Sequence, residues 1–391
     1  MIAGAKPLSC LKEQPMRAIV TGQVGVDKKQ YLEAVAELAG HSGERIDTYH
    51  VGDRMYAEAP DVRPGRILDL PISRLHALRR SVFKDIISES ADQKNIIVNT
   101  HATFRWRHGL FRAFDFDQIE LLKPDLIICL VDNAESVYHR LHDEHTVDAT
   151  LKDIMVWREE EIMATELLAQ AVGCGNRMYI LSRGRDKQTA RTCYRLICHP
   201  QMRKVYPSFP MSHVVDMPEV LAEINQFRAA LARHFITFDP GDVDEKLLLE
   251  DAIAAARDAR DFIDCRVLHG GRSEEFRLPV KQVLDCAGDI DGQIYARDFK
   301  LIDQAEMICS LVPELPGAGG GKGVPGLSSG VERELQHAFE ASKDVYVVWK
   351  PARNPSPFIT ETATRVFATV DEALEHFEAE GMFAQTHLFG H

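Results

Sequence analysis

The feature that most constrains this chain is a short apolar run that feeds directly into a glycine turn and then into a helical pattern. Arg17-Ala-Ile-Val-Thr21 leads into Gly22-Gln-Val-Gly25-Val-Asp27-Lys28-Lys29, and Asp27 to Leu38 reads as a helix. A turn in this setting cradles phosphate. Its backbone N–H groups converge, the helix start adds a positive dipole end, and a lysine reaches the outer phosphates. Against the pattern G-x-x-x-x-G-K-[ST], Gly22, Lys28 and the inner Gly25 are in register. Asp27 replaces the second glycine and brings a carboxylate near the phosphate position. Lys29 replaces the hydroxyl that would hold magnesium and supplies a cation instead.

The alternation continues along the chain. Asn95–Asn99, Asp125–Val131 and Arg177–Leu181 are buried-strand patterns, with helical patterns at Leu75–Glu89 and Leu151–Ala171. A second cycle begins near residue 203. It has a strand opening at Lys204-Val-Tyr206, helices over Pro218–His234 and Leu247–Phe262, and strands over Met307–Val312 and Asp344–Trp349. A glycine loop, Pro316 to Gly326, and a helix from Val331 lie between the last two strands. Strands alternating with helices predict an α/β protein with two doubly wound parallel-sheet domains. The expected organisation is a disordered leader 1–15, a first domain 16–182, a polar linker 183–202, a second domain 203–378 and a loosely held tail 379–391. A chain of 391 residues, 45% apolar, can bury a core in each half.

The net charge of −13 argues against a nucleic-acid polymer or an anionic membrane as the main partner, since both reward a basic face. It leaves room for a small anion in a local basic pocket. No apolar run approaches the roughly 20 residues needed to span a bilayer, and the first residues lack an apolar leader core. The 8 cysteines are scattered with no CxxC pair, so no metal site is expected and a reducing cytoplasm is the expected location.

Beyond the glycine turn, residues 16–170 resemble an archaeal-type adenylate kinase. The resemblance runs through Ile19-Val-Thr-Gly22, Val51-Gly-Asp53-Arg-Met55, Val98-Asn-Thr-His101-Ala-Thr-Phe-Arg105 and Lys123-Pro-Asp125-Leu-Ile-Ile, with Asp132 after the strand. It implies a P-loop domain that binds nucleotide through Gly22, Gly25, Lys28 and Lys29, with His101 and Arg105 facing the acceptor monophosphate. ATP, with or without magnesium, is the implied ligand. Where that family closes an arginine-rich lid, this chain has His142-Asp-Glu-His145-Thr-Val-Asp148, with Arg140 the nearest arginine.

In the second half, Leu327-Ser328-Ser329-Gly330-Val331-Glu332-Arg333-Glu334-Leu335 opens a helix after a strand. Val331, Leu335, Ala338 and Phe339 form an apolar stripe. Ser329 and Glu332 fit a capping box, which leaves Glu334 off the stripe and unexplained as a cap. This segment, together with Lys204-Val-Tyr206-Pro-Ser-Phe-Pro210 and Arg297-Asp298-Phe-Lys-Leu-Ile-Asp303, resembles the nucleoside 2-deoxyribosyltransferase family and its 2′-deoxynucleoside 5′-monophosphate N-glycosidases. The resemblance covers roughly residues 203–350 and implies a flavodoxin- or Rossmann-type sheet. It implies Glu334 as nucleophile, Asp298 as its orienter or the proton donor to the leaving base, and Tyr206 against sugar or nucleophile. Ser328, with Ser329 and Gly330, would hold a 5′-phosphate, with Lys322 as a further contact. No cofactor is implied for this chemistry, and a homo-oligomer is. The expectation is an enzyme that cleaves or exchanges the N-glycosidic bond of a nucleotide, with small-molecule nucleotides as its partners. Two rivals are an active kinase with an inactive glycosidase-like domain, and a nucleotide sensor without catalysis.

Overall fold

The computed structural model describes residues 16–106, 109–143, 148–184, 188–211, 214–269, 272–317 and 323–383. Its first sheet has five parallel strands in the order Asp47–His50, Asn95–Asn99, Met16–Thr21, Leu126–Val131, Met178–Ser182. The central strands are near-continuous runs of buried aliphatic residues such as Ile96-Ile-Val98 and Leu126–Val131. Such runs suit a parallel sheet covered by helices on both faces. Helices Lys28–His41, Ile72–Glu89 and Leu151–Ala171 pack around this sheet. The carboxyl ends of the strands carry the glycine turn, the segment after Asn99 and the segment after Val131, so these loops meet along one edge.

The second sheet is also parallel, in the order Arg365–Phe367, Asp344–Trp349, Met307–Val312, Lys204–Ser208, Ile236–Thr237. The chain leaves Lys204–Ser208 toward one edge and then crosses to build the other half from Met307–Val312. The strand order therefore reverses between these two strands, where doubly wound sheets open a crevice for ligand. Both domains are thus α/β with parallel sheets, as the alternation of patterns predicts.

The two halves share one apolar cluster. Tyr179 stacks on Phe238 at 5.5 Å between ring centres. Gln304 bonds both N–H and C=O of Ile180, at 2.9 Å each, and so covers the edge strand of the first sheet. The stretch 183–202, read as a linker, contains the helix Gln188–Cys198. That helix packs on Lys28–His41, where the Tyr31 hydroxyl donates to Thr189 O at 2.7 Å. It also holds the second domain, since Arg195 donates to Ala232 O and Phe235 O.

One expected helix is shorter than its pattern. It spans Lys246–Arg257 rather than reaching Phe262. Asp258 ends it, Ala259 follows at φ +54°, and Phe262–His269 then pairs antiparallel with Arg272–Pro279 as a hairpin. The helix Val370–Ala379, at the end of the expected second domain, is capped by Thr369, whose hydroxyl accepts from Glu372 N at 3.1 Å. Among the described residues no helix is long and apolar enough to cross a membrane.

Candidate functional site

A cleft of about 1110 Å³ opens at the carboxyl edge of the first sheet. Gly22 stands at φ +145°, and a Cβ there would lie 2.5 Å from Leu130 O, so only glycine fits. Asp27 sits at φ +56°, keeping the left-handed backbone that the pattern assigns to glycine; aspartate is among the residues that tolerate it. Its carboxylate, expected to repel phosphate, accepts from Arg183 Nη2 at 2.9 Å and is thereby neutralised.

Lys28 and His101 come together at the turn. Lys28 Nζ donates to Gly22 O at 2.6 Å and lies 3.2 Å from His101 Nδ1. Burial pushes the Lys28 ammonium down to about 8. Lys29 and Arg105 line the same cleft but are engaged elsewhere. Lys29 pairs with Asp53 at 2.7 Å, and Arg105 makes two bonds of 2.5 Å to Glu160. The backbone of the turn therefore suits a phosphate, while the residue at the magnesium position supplies an ammonium already paired.

Three residues that sequence reasoning missed hold this cleft. Glu161 is fully buried and accepts from Gly22 N, Ala102 N, Thr103 N and Thr103 Oγ1 at 2.6–2.9 Å. One carboxylate thus ties the glycine turn to the segment after His101. Arg140 donates to Gly25 O and to Asp132 Oδ2, each at 2.7 Å. This arginine, the nearest to the lid position, is buried inside the domain. Arg79 lies in the apolar stripe Leu75, Val82, Phe83 and Ile86, is 2% exposed and lines the cleft. Its Nη1 has no hydrogen-bond partner among the described residues, and burial pushes the guanidinium down to about 10. An arginine inside an otherwise apolar helical stripe is the signal that would have found it.

The second group lies at the reversal point of the second sheet. Helix Ser329–Glu340 buries Val331, Leu335 and Ala338 as expected, but Phe339 is 48% exposed instead of joining the stripe. Ser328 rather than Ser329 is the N-cap, and its Oγ accepts from Val331 N at 3.2 Å. The capping box read for Ser329 and Glu332 is not formed, because the helix starts one residue earlier and Glu332 stays exposed. Lys322 lies outside the described residues.

Glu334 turns from the first turns of this helix toward strand Lys204–Ser208. The Tyr206 hydroxyl donates to its Oε1 at 3.0 Å, and Ser208 Oγ donates to its Oε2 at 2.6 Å. Tyr206 is fully buried, and the hydroxyl is driven well above its ordinary range by burial, with the Glu334 charge adding to it. Burial also raises the Glu334 carboxyl, against the two hydrogen bonds, which lower it. Asp298, on helix Ala287–Gln304, is pushed up to about 7 by burial; Arg297 opposes this, and Glu334, Asp244 and Glu245 reinforce it. Its Oδ1 is buried without a partner among the described residues. The fold therefore places Tyr206, Asp298 and Glu334 in one neighbourhood and adds Ser208. It offers one carboxylate fixed through both oxygens beside one carboxyl poised to give or take a proton near neutrality.

A family described as "AAA domain" matches residues 21–158. The chain is 25% identical over 176 residues to an adenylate kinase of Pyrococcus abyssi, covering 43% of this chain and 87% of that protein. It is 23% identical over 180 residues to an adenylate kinase of Pyrococcus furiosus, covering 44% and 89%. Solved structures that align with it include shikimate kinases from Bacteroides thetaiotaomicron and Aquifex aeolicus. The first is 12% identical with a TM-score of 0.31, covering 46% of this chain and 95% of that one. The second is 13% identical with a TM-score of 0.32, covering 46% and 94%. By the family match and the two Pyrococcus relatives, the N-terminal half is similar to P-loop nucleotide kinases.

Proposed function

We propose that this chain is a nucleotide-processing enzyme whose C-terminal domain cleaves or exchanges the N-glycosidic bond of a deoxynucleotide, while its N-terminal domain binds a nucleotide. The observation that carries the reading is Glu334, held through both carboxylate oxygens by Tyr206 and Ser208 with Asp298 close by. The Glu334 carboxylate attacks the anomeric carbon as the carbon–nitrogen bond breaks. The bonding pair leaves on the base nitrogen, which takes the Asp298 proton, and a glycosyl ester of Glu334 remains. Water, or a second base, then attacks the same carbon and gives its proton to Asp298, and Glu334 is released. A carboxylate suits this task because the transition state is oxocarbenium-like and accepts a weak nucleophile.

In the N-terminal domain, Gly22, Gly25 and Lys28 would hold the phosphates of a nucleotide such as ATP, which would supply a transferable phosphoryl group. Lys29 gives magnesium no ligand and Arg140 is buried in the domain, so the reading favours binding over phosphoryl transfer. The test is a panel of deoxynucleosides and deoxynucleotides followed by chromatography for free base. Base release from at least one supports the reading. ADP formed from ATP plus a monophosphate, without base release, favours the kinase alternative, and binding without turnover favours the sensor.

A further inference from the structure

Between the two sites lies a buried charge cluster that neither mechanism uses. Glu245 is 1% exposed and accepts from two arginines, one from each domain. Arg158 Nη1, on helix Leu151–Ala171, donates to Glu245 Oε1, and Arg297 Nη1 donates to Oε2 at 3.3 Å. Arg158 Nη1 also donates to Asp132 O at 3.1 Å, and Glu245 Oε1 accepts from Ala134 N at 3.2 Å. The neighbouring Asp244 N donates to Asn133 Oδ1 at 3.1 Å. The segment 132–134, at the carboxyl edge of the first sheet, is thus fastened to the segment 243–245 of the second domain. Three charges out of water are tolerated because each carboxylate oxygen of Glu245 faces a guanidinium, although Arg297 Nε is left without a partner among the described residues.

This cluster adjoins the C-terminal carboxyl pair. Arg297 immediately precedes Asp298 and turns its guanidinium to Glu245 and to Val243 O. Among the described residues Asp298 Oδ1 is left buried without a partner. We infer that Glu245, clamped between Arg158 of the first domain and Arg297 of the second, is a positioning residue for Asp298. By holding Arg297 it leaves the Asp298 carboxyl without an ion-pair partner, so the first domain completes the second domain's site. The catalytic consequence rests on the proposed glycosidase reading; the positioning itself does not.

The charged or titratable groups acting on Asp298 are Arg297, Glu334, Asp244, Glu245 and the Tyr206 hydroxyl. Arg297 is the cation among them. Glu245→Gln removes an anion and releases that cation, and both changes favour the ionised Asp298. The experiment uses the full chain with carbon-13 in its aspartate carboxyls, titrated by NMR, with the Asp298 signal assigned through its loss in Asp298→Asn. In Glu245→Gln the midpoint should fall by about one unit or more. In the double variant Arg158→Met with Glu245→Gln, which removes one cation along with the anion and so eases folding, it should fall as well. Melting curves establish that each variant is folded. An unmoved midpoint in folded variants overturns the inference. Base release on the same proteins should show its alkaline limb shifted to lower pH, with kcat reduced and KM held. A midpoint that moves in the variants while the wild type releases no base would sink the glycosidase reading and leave this inference standing; an unmoved midpoint in folded variants of a wild type that does release base would do the reverse.

Discussion

Arg140 donates through Nη2 to Asp132 Oδ2 at 2.7 Å, in the interior of the first domain, and through Nη1 it holds the carbonyl of Gly25. An arginine fastened between two loops is not available to close over a phosphate. Phosphoryl transfer depends on charge supplied by magnesium, lysine and arginine; here Lys28 stands at the turn, while the magnesium position is held by Lys29, already paired with Asp53. The chain should therefore bind nucleotide yet show weak or absent adenylate kinase activity with Mg·ATP and AMP. A coupled assay giving turnover on the order of 10 s⁻¹, the median for enzymes, would contradict this.

Arg79 faces the same cleft with Nη1 unpartnered. Asp115 acts on this guanidinium, but a buried cation with a donor left unpaired costs stability unless a ligand completes it. Arg79→Leu should raise the melting temperature of the ligand-free chain. It should also weaken binding of a phosphate-bearing nucleotide by about ten- to a hundredfold, the worth of one charged hydrogen bond. Equilibrium dialysis read beside melting curves checks both, and unchanged affinity would remove Arg79 from the site.

Burial pushes the Asp298 carboxyl up to about 7 in the folded chain from an ordinary value of 3.8. Between these values the native state holds a proton that the unfolded chain has released, so its contribution to stability falls as pH rises through that window. Asp298→Asn removes this dependence. The variant should release no base, and its melting temperature should exceed that of the wild type by a margin that grows from pH 5 to pH 8. A margin that stays constant would mean that Asp298 is not raised. In the wild type, base release should decline on the alkaline side as Asp298 gives up its proton.

The C-terminal site should prefer a 5′-monophosphate to the free nucleoside. The start of helix Ser329–Glu340 offers backbone N–H groups and a positive dipole end beside Glu334. A charged hydrogen bond contributes roughly 1.5–3 kcal/mol, so loss of the phosphate should lower kcat/KM by about ten- to a hundredfold. Ser328 caps this helix, so Ser328→Ala costs about 1 kcal/mol of stability along with any phosphate contact. Equal kcat/KM for one deoxynucleoside and its 5′-monophosphate would remove the phosphate from the account.

Both sheets were legible because parallel strands buried on two faces leave dense aliphatic runs, as in Leu126–Val131 and Met307–Val312. Glu334 stood out because it lies off the apolar stripe of its helix and is not accounted for as a cap. Its partner Ser208 did not, since the two are 126 residues apart and only the sheet brings them together. Glu245 and Arg158, 87 residues apart, were hidden for the same reason. The helix Gln188–Cys198 was masked by its arginines and threonines, although Cys193, Leu196 and Ile197 face the core. In the hairpin the signal was present and overlooked, for Ile263, Cys265 and Val267 alternate with polar residues.

The most direct test of the account is base release from deoxynucleoside 5′-monophosphates by the wild type, Glu334→Gln and Glu332→Gln, each shown to be folded by its melting curve. The amide of Glu334→Gln can still meet Tyr206 and Ser208, yet it cannot form the ester to the anomeric carbon. Glu332 is exposed, so its amide variant should release base as the wild type does. The account predicts release by the wild type and Glu332→Gln, and a fall on the order of a thousandfold or more in Glu334→Gln. Turnover retained in Glu334→Gln would contradict it.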